Sequence, residues 1–277
     1  MLELGRYNTL TVAKVLDFGL YLDAGPDGQV LMPARYVPHG VRVGDQLRAF
    51  IYLDSDDRPL ATTLRPLVQV GQFAPLRCVA VNRVGAFLDW GLPKDLLVPF
   101  GEQRERMVEG RAYVVYCYID PDTHRIAASA RLARFLDQQP PAYQPGQPVQ
   151  LMPLEQTDLG YRAIVDDQHT GMLYHNEVFR PLRWAERLQG YVKQVRPDGK
   201  IDLTLQRTGY GRIDGAAQLL LDTLRQHGGF LPLTDRSAPA DIYNALQMSK
   251  KSFKMALGAL YKQHLVSIEP DGIMLLE

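Results

Sequence analysis

The chain has 277 residues, 46% of them hydrophobic, and its 31 basic side chains balance 31 acidic ones, so it can bury several cores and has no net field of either sign. No run approaches the roughly 18 apolar residues of a spanning helix, and MLELGRYNTL has neither the basic start nor the apolar stretch of a signal peptide; the sequence predicts a cytoplasmic protein without membrane partners. Segment by segment the charge stays near zero, with 7 basic and 8 acidic groups in 1–67, 9 and 8 in 68–139, 8 and 8 in 140–211, and 7 and 7 in 212–277, which excludes a polycationic module and leaves only local patches for phosphate.

From the N-terminus, the β-branched run 10–16 meets Asp17-Phe18-Gly19-Leu20-Tyr21-Leu22-Asp23, a strand interrupted by glycine. Such a glycine marks a bulge or bend, which small barrels need at their corners. The turn Pro26-Asp27-Gly28 leads into a strand at 29–32, and after the loop 33–44 come strands at 46–53 and 59–63. Five short strands with a longer third connection fit a five-stranded Greek-key barrel of the OB type.

The same pattern returns 66 residues later: Gly19 recurs as Gly85, Tyr21 as Phe87, Pro33 as Pro99, Asp54 as Asp120 and Arg65 as Arg131. A third copy follows after a further 75 residues, with Gly160 answering Gly85 and Ile201 answering Ile126. Repetition of this kind signals a row of similar binding units. It also assigns the two cysteines, since Cys78 stands where Val12 does and Cys117 where Ile51 does, both apolar strand positions that suit buried free thiols. The proline-rich segment 138–145 is the clearest linker.

Beyond Asp214 the periodicity turns helical. Ala217, Leu220, Leu221 and Leu224 share one face, and Gly228-Gly229 supplies a C-cap. A strand-like 230–234 follows, then a second helix with Ser237–Asp241 as its cap and first turn, and a third over 250–264, capped by Ser249, with Phe253, Leu257, Leu260 and Tyr261 on one apolar face. A hairpin around Pro270-Asp271-Gly272 completes the order of a winged helix. The expected fold is mainly β: three tandem five-stranded OB barrels at 1–67, 68–137 and 145–209, then an α+β winged helix at 213–277.

In copies one and two, the glycine-bearing second strand, Val43-Gly44-Asp45-Gln46-Leu47 and the closing Thr63-Leu64-Arg65 resemble the S1 RNA-binding domain, an OB-fold variant. Copy three departs from it, with Leu159-Gly160-Tyr161-Arg162 in place of the aromatic-glycine pair. The resemblance implies a binding face on the second and third strands, with aromatics for stacking single-stranded bases and a basic residue near the end of the fifth. Carried over, this gives Phe18, Tyr21 and Arg65 in copy one, and Phe87 and Arg131 in copy two, where Val84 replaces the first aromatic. In copy three Arg162 and Arg207 stand at or beside the matching positions, with Tyr161, Tyr174, His175 and Lys193 nearby. Read without that resemblance, strand aromatics beside a glycine are more often core than platform.

Lys250, Lys251 and Lys254 open the third helix of the winged unit, where nucleic-acid or partner contacts would form, although Glu269 and Asp271 in the wing would repel phosphate. This ranks duplex DNA below RNA and protein as its partner. Three S1-like copies followed by a winged helix resemble the conserved virulence factor B family of bacterial RNA-binding regulators, which implies binding of single-stranded RNA and post-transcriptional control.

No catalytic constellation competes with that reading. The six histidines show no metal-ligand spacing, the acidic clusters at 54–57 and 120–122 occupy the same turn in two copies, and the glycine-rich 209–215 lacks the spacing of a dinucleotide loop. The expectation is a non-enzymatic protein with no metal and no cofactor. A DNA-binding regulator led by the winged helix and a protein-interaction adaptor are the alternatives.

Overall fold

The computed structural model describes residues 2–178, 181–205 and 215–276. The first barrel consists of β1 (Tyr7–Leu16), β2 (Gly19–Asp23), β3 (Gln29–Pro33), β4 (Gln46–Leu53) and β5 (Pro59–Thr62), closed in the order β1-β2-β3-β5-β4. Only the β3–β5 seam is parallel, which is the Greek-key closure of an OB barrel. The second unit has β6 (Phe73–Val81), β7 (Gly85–Asp89), β8 (Leu96–Pro99), β9 (Ala112–Ile119) and β10 (Ile126–Ser129), in the order β10-β9-β6-β7-β8. The third closes from β11 (Pro148–Thr157), β12 (Gly160–Val165), β13 (His169–Tyr174), β14 (Leu188–Val195) and β15 (Ile201–Thr204).

The copies differ at the seam. Barrel 3 pairs three residues across it and barrel 1 a single pair, Leu31 with Leu60. In barrel 2, β8 and β10 lie side by side without a ladder, so this unit is nearly closed.

The repeated glycines have a common steric cause. A Cβ on Gly19, Gly85 or Gly160 would lie 2.2, 2.3 or 2.2 Å from the carbonyl oxygen of Met32, Val98 or Leu173, so the second strand of each barrel presses on the third. A register shift recurs too, at Val12/Lys14, Cys78/Ala80 and Pro153/Glu155, and bends the first strand of each copy around its barrel.

Leu20, Leu22, Met32 and Ile51 fill barrel 1, each fully buried and each contributing about 1.5–3 kcal/mol of hydrophobic stabilisation. Along β4, four consecutive residues from Ala49 to Tyr52 are buried. Alternation sends Ala49 and Ile51 inward, whereas Phe50 and Tyr52 join the buried cluster of barrel 2 with Trp90. Cys78 and Cys117 are buried and free, and burial pushes the Cys117 thiol up to about 12. Barrels 2 and 3 share a smaller cluster around Phe73, Val114, Met152 and Ile164. Across that junction the Phe73 amide donates to Asp167 at 3.0 Å, and Arg187 donates to the Phe73 carbonyl and to Asp167. The proline-rich segment is tied down: His169 bridges the Tyr143 hydroxyl at 3.1 Å and the Gln139 carbonyl at 2.9 Å.

The C-terminal unit has α1 (Gly215–Gln226), β16 (Phe230–Leu231), α2 (Pro239–Leu246), α3 (Lys250–Lys262), β17 (Val266–Glu269) and β18 (Gly272–Leu275), with sheet order β16-β18-β17. This is the winged-helix arrangement. The Gly229 amide donates to Leu224 at 2.7 Å, closing α1 as a glycine C-cap does, and Ser249 caps α3 by accepting from Ser252 at 3.1 Å. Two expectations change: Tyr261 is exposed, leaving Phe253, Ala256, Leu257 and Leu260 as the buried face of α3. Ser237 does not cap α2; it accepts from the Thr234 amide, and Ala238 takes the cap position.

Candidate nucleic-acid interface

In barrel 1, Phe18 precedes β2 and is 58% exposed, while Tyr21 on β2 is half-buried; their rings meet edge to face at 6.5 Å. An exposed phenylalanine braced by a second ring presents an apolar surface to solvent. Arg65 is not on that strand face. It stands three residues past β5 in the connector to barrel 2, exposed, with its carbonyl beside Gly91.

Phe87 in barrel 2 is half-buried and lines a groove of about 860 Å³ between the first two barrels, together with Val84, Trp90, Arg35, Lys94 and Arg125. Two of the groove's cations reach across to barrel 1. Lys94 donates to the Asp54 carbonyl at 2.6 Å, and Arg125 pairs with Asp57, so both clasp barrel 1 to barrel 2. Asp54 also organises its own turn, accepting from the Arg58 and Asp56 amides, and the Arg58 amide chiefly holds its carboxyl below the ordinary range. Asp95, on the same wall, is pushed up by burial and then by Asp89. Arg131 is exposed just past β10, beside a short turn at Leu132–Arg134.

Barrel 3 gathers Arg162 and Tyr174 into a second groove of about 360 Å³, with Leu159, Arg196, Lys200 and Asp202. Sequence reasoning missed the last three. Arg196 lies over the Tyr174 ring at 5.9 Å and pairs with Asp202 at 2.9 Å. Tyr161 and His175 form a separate edge contact at 5.7 Å, and His175 reaches the Thr157 carbonyl. Lys193 is engaged by the buried Glu177 at 2.6 Å, and Arg162 by Glu155 at 2.7 Å. Pairs exposed on both sides, such as Arg162–Glu155, contribute about 0–1 kcal/mol, so an incoming phosphate can exchange for the carboxylate. Arg207 lies outside the described residues.

On the winged helix, Lys251 and Lys254 are exposed, with Lys254 3.9 Å from Asp235. Lys250 is half-buried and donates to the Ser237 carbonyl at 2.8 Å, tying α3 to the start of α2. Among the described residues no cluster of three or more metal-ligating side chains occurs, and no helix is long and apolar enough to cross a membrane.

Residues 4–64 match the S1 domain, and residues 218–275 match the CvfB-like winged helix domain. Over most of its length the chain is similar to conserved virulence factor B. It is 25% identical over 266 residues to conserved virulence factor B of Staphylococcus aureus, a match spanning 92% of this chain and 88% of that one. With YitL of Bacillus subtilis it is 29% identical over 275 residues, covering 93% and 89%. A solved multidomain protein with nucleic acid binding domains from Streptococcus pneumoniae aligns over 99% of this chain and 98% of its own, at 24% identity and a TM-score of 0.40. An S1 barrel near one end and a winged helix near the other are both domain types that bind nucleic acid.

Proposed function

We propose that this protein is a non-enzymatic, cytoplasmic RNA-binding regulator that holds single-stranded RNA on its barrels and acts after transcription. Its working units are the barrels at 1–67, 68–137 and 145–209 and the winged helix at 213–277. The observation that carries the reading is the Phe18–Tyr21 pair, a 58% exposed ring braced on the strand where an S1 domain stacks bases. Phe87 extends the platform into the groove between barrels 1 and 2, and Arg65 and Arg131 stand exposed for phosphate. Tyr174 and Arg162 offer ring and charge on barrel 3, with Tyr161, His175, Lys193 and Arg207 as further contacts.

Stacking suits a strand whose bases are free, and a duplex hides them. The near-neutral charge of every unit makes each site weak, so affinity has to come from joint engagement of several. The winged helix, through Lys251 and Lys254, adds RNA or protein contact, because its acidic wing disfavours a duplex backbone. Strand length tests this: in fluorescence anisotropy, an RNA of about 30 nucleotides should bind the full chain at least tenfold more tightly than one of about 8, which fills a single barrel. Equal affinity per molecule would mean that only one barrel binds.

A further inference from the structure

Asp202 is 4% exposed in β15 and lines the barrel 3 groove. Its Oδ2 accepts from Gln194 Nε2 at 2.7 Å and from Arg196 Nε at 2.9 Å. Its Oδ1 is buried and, among the described residues, has no hydrogen-bond partner. A buried carboxylate oxygen left unpaired is costly, and on a residue that lines a groove a small shift of the side chain lets a donor from outside satisfy it.

The surroundings select the kind of donor. Arg196 donates to the Tyr174 hydroxyl and lies over its ring, fixing one flat wall of the groove, and Leu159 adds an apolar surface that is 64% exposed. Arg162 and Lys200 line the same groove, each paired, among the described residues, only with a well-exposed carboxylate. A ring to stack, an unmatched acceptor at depth and cations beside them describe a nucleotide.

We infer that the third barrel reads one base bearing an exocyclic amino group, whose N–H donates to Asp202 Oδ1 while its ring stacks on Tyr174. Cytosine offers such a group at N4. Uracil carries a carbonyl at that place, and its one ring N–H sits between two carbonyl oxygens that a carboxylate repels. The inference rests on the single-strand reading and adds base preference to it; copy three, the most divergent in sequence, is then the selective one.

The pyrimidine oligomers rC12 and rU12 differ only along the edge that Asp202 would meet. In anisotropy titrations the wild-type full chain should bind rC12 about tenfold more tightly than rU12, the ratio expected for one charged hydrogen bond gained. Asp202→Asn keeps an acceptor for Arg196 and Gln194 but turns an amide N–H2 toward the groove, so the preference should vanish or reverse. Asp202→Ser, smaller and uncharged, should lose it as well, and circular dichroism checks that both variants fold. Equal wild-type affinities for the two oligomers, or a preference unchanged in a folded Asp202→Asn protein, would overturn the inference and leave the single-strand reading intact. Binding to neither oligomer would overturn both.

Discussion

Replacing Trp90 by alanine should remove about 3–5 kcal/mol of stability and uncouple barrel 1 from barrel 2. The indole is 3% exposed and packs edge-on against Phe50 of barrel 1 at 5.8 Å. Its Nε1–H donates to the Lys94 carbonyl at 2.6 Å, and the Lys94 ammonium donates in turn to the Asp54 carbonyl of barrel 1. Deleting the ring therefore opens a cavity in the cluster holding Phe50, Tyr52 and Leu96, and frees the loop that carries Lys94. The barrel 2 groove should distort with it, because Trp90 and Lys94 both line it. The chain has one other tryptophan, Trp184, which is 51% exposed, so a Trp184→Phe background leaves Trp90 as the sole indole reporter of the junction. In that background the wild-type junction should give a single urea transition by fluorescence and circular dichroism. Trp90→Ala, followed by circular dichroism, should split into two steps or shift to lower urea. A loss below about 1 kcal/mol, the size of a surface change, would show that the barrels are not joined there.

Removing the rings Phe18, Tyr21 and Phe87 together should weaken binding of single-stranded RNA by at least tenfold. Each base stacked on an aromatic contributes about 1–3 kcal/mol, so even partial use of the three gives a loss of that order. Their burial separates binding from folding. Phe18 is 58% exposed, and Phe18→Ala alone should leave the unfolding midpoint within about 0.5 kcal/mol of wild type while still lowering affinity. Tyr21 and Phe87 are half-buried, so the triple variant is checked by thermal unfolding before titration. Full RNA affinity in a folded triple variant would mean that these rings only cover the β2 and β7 strands.

The repeat made most of the fold legible, because the same steric demands recur at fixed spacing. Gly19, Gly85 and Gly160 mark the same close approach of strands, and Cys78 and Cys117 take the buried places of Val12 and Ile51. The differences between copies were not legible. Whether the last seam forms a ladder depends on register between strands distant in the chain, and only the structure distinguishes barrel 2 from its neighbours. The barrel junction left one weak signal, the unbroken run Ala49-Phe50-Ile51-Tyr52, which buries both faces of a strand that alternation alone would leave half-exposed. Tyr261 was misplaced because it follows Leu260 and stands four residues from Leu257, at the edge of the apolar stripe where helical spacing ceases to decide. Asp202 escaped notice as a charged residue within Ile201-Asp202-Leu203-Thr204, yet a charge inside a fully buried strand was the signal. Its partners, Gln194 and Arg196, come from β14 and the turn after it, where no local pattern announces them.

The most direct measurement is fluorescence anisotropy of the full chain against labelled single-stranded RNA, single-stranded DNA and duplex DNA, each at a low and a physiological salt concentration. The stacking account predicts binding to single-stranded RNA that weakens as salt rises, weaker binding to single-stranded DNA, and none to the duplex at the same protein concentrations. Binding to duplex DNA alone, or no binding to RNA even at low salt, would contradict it.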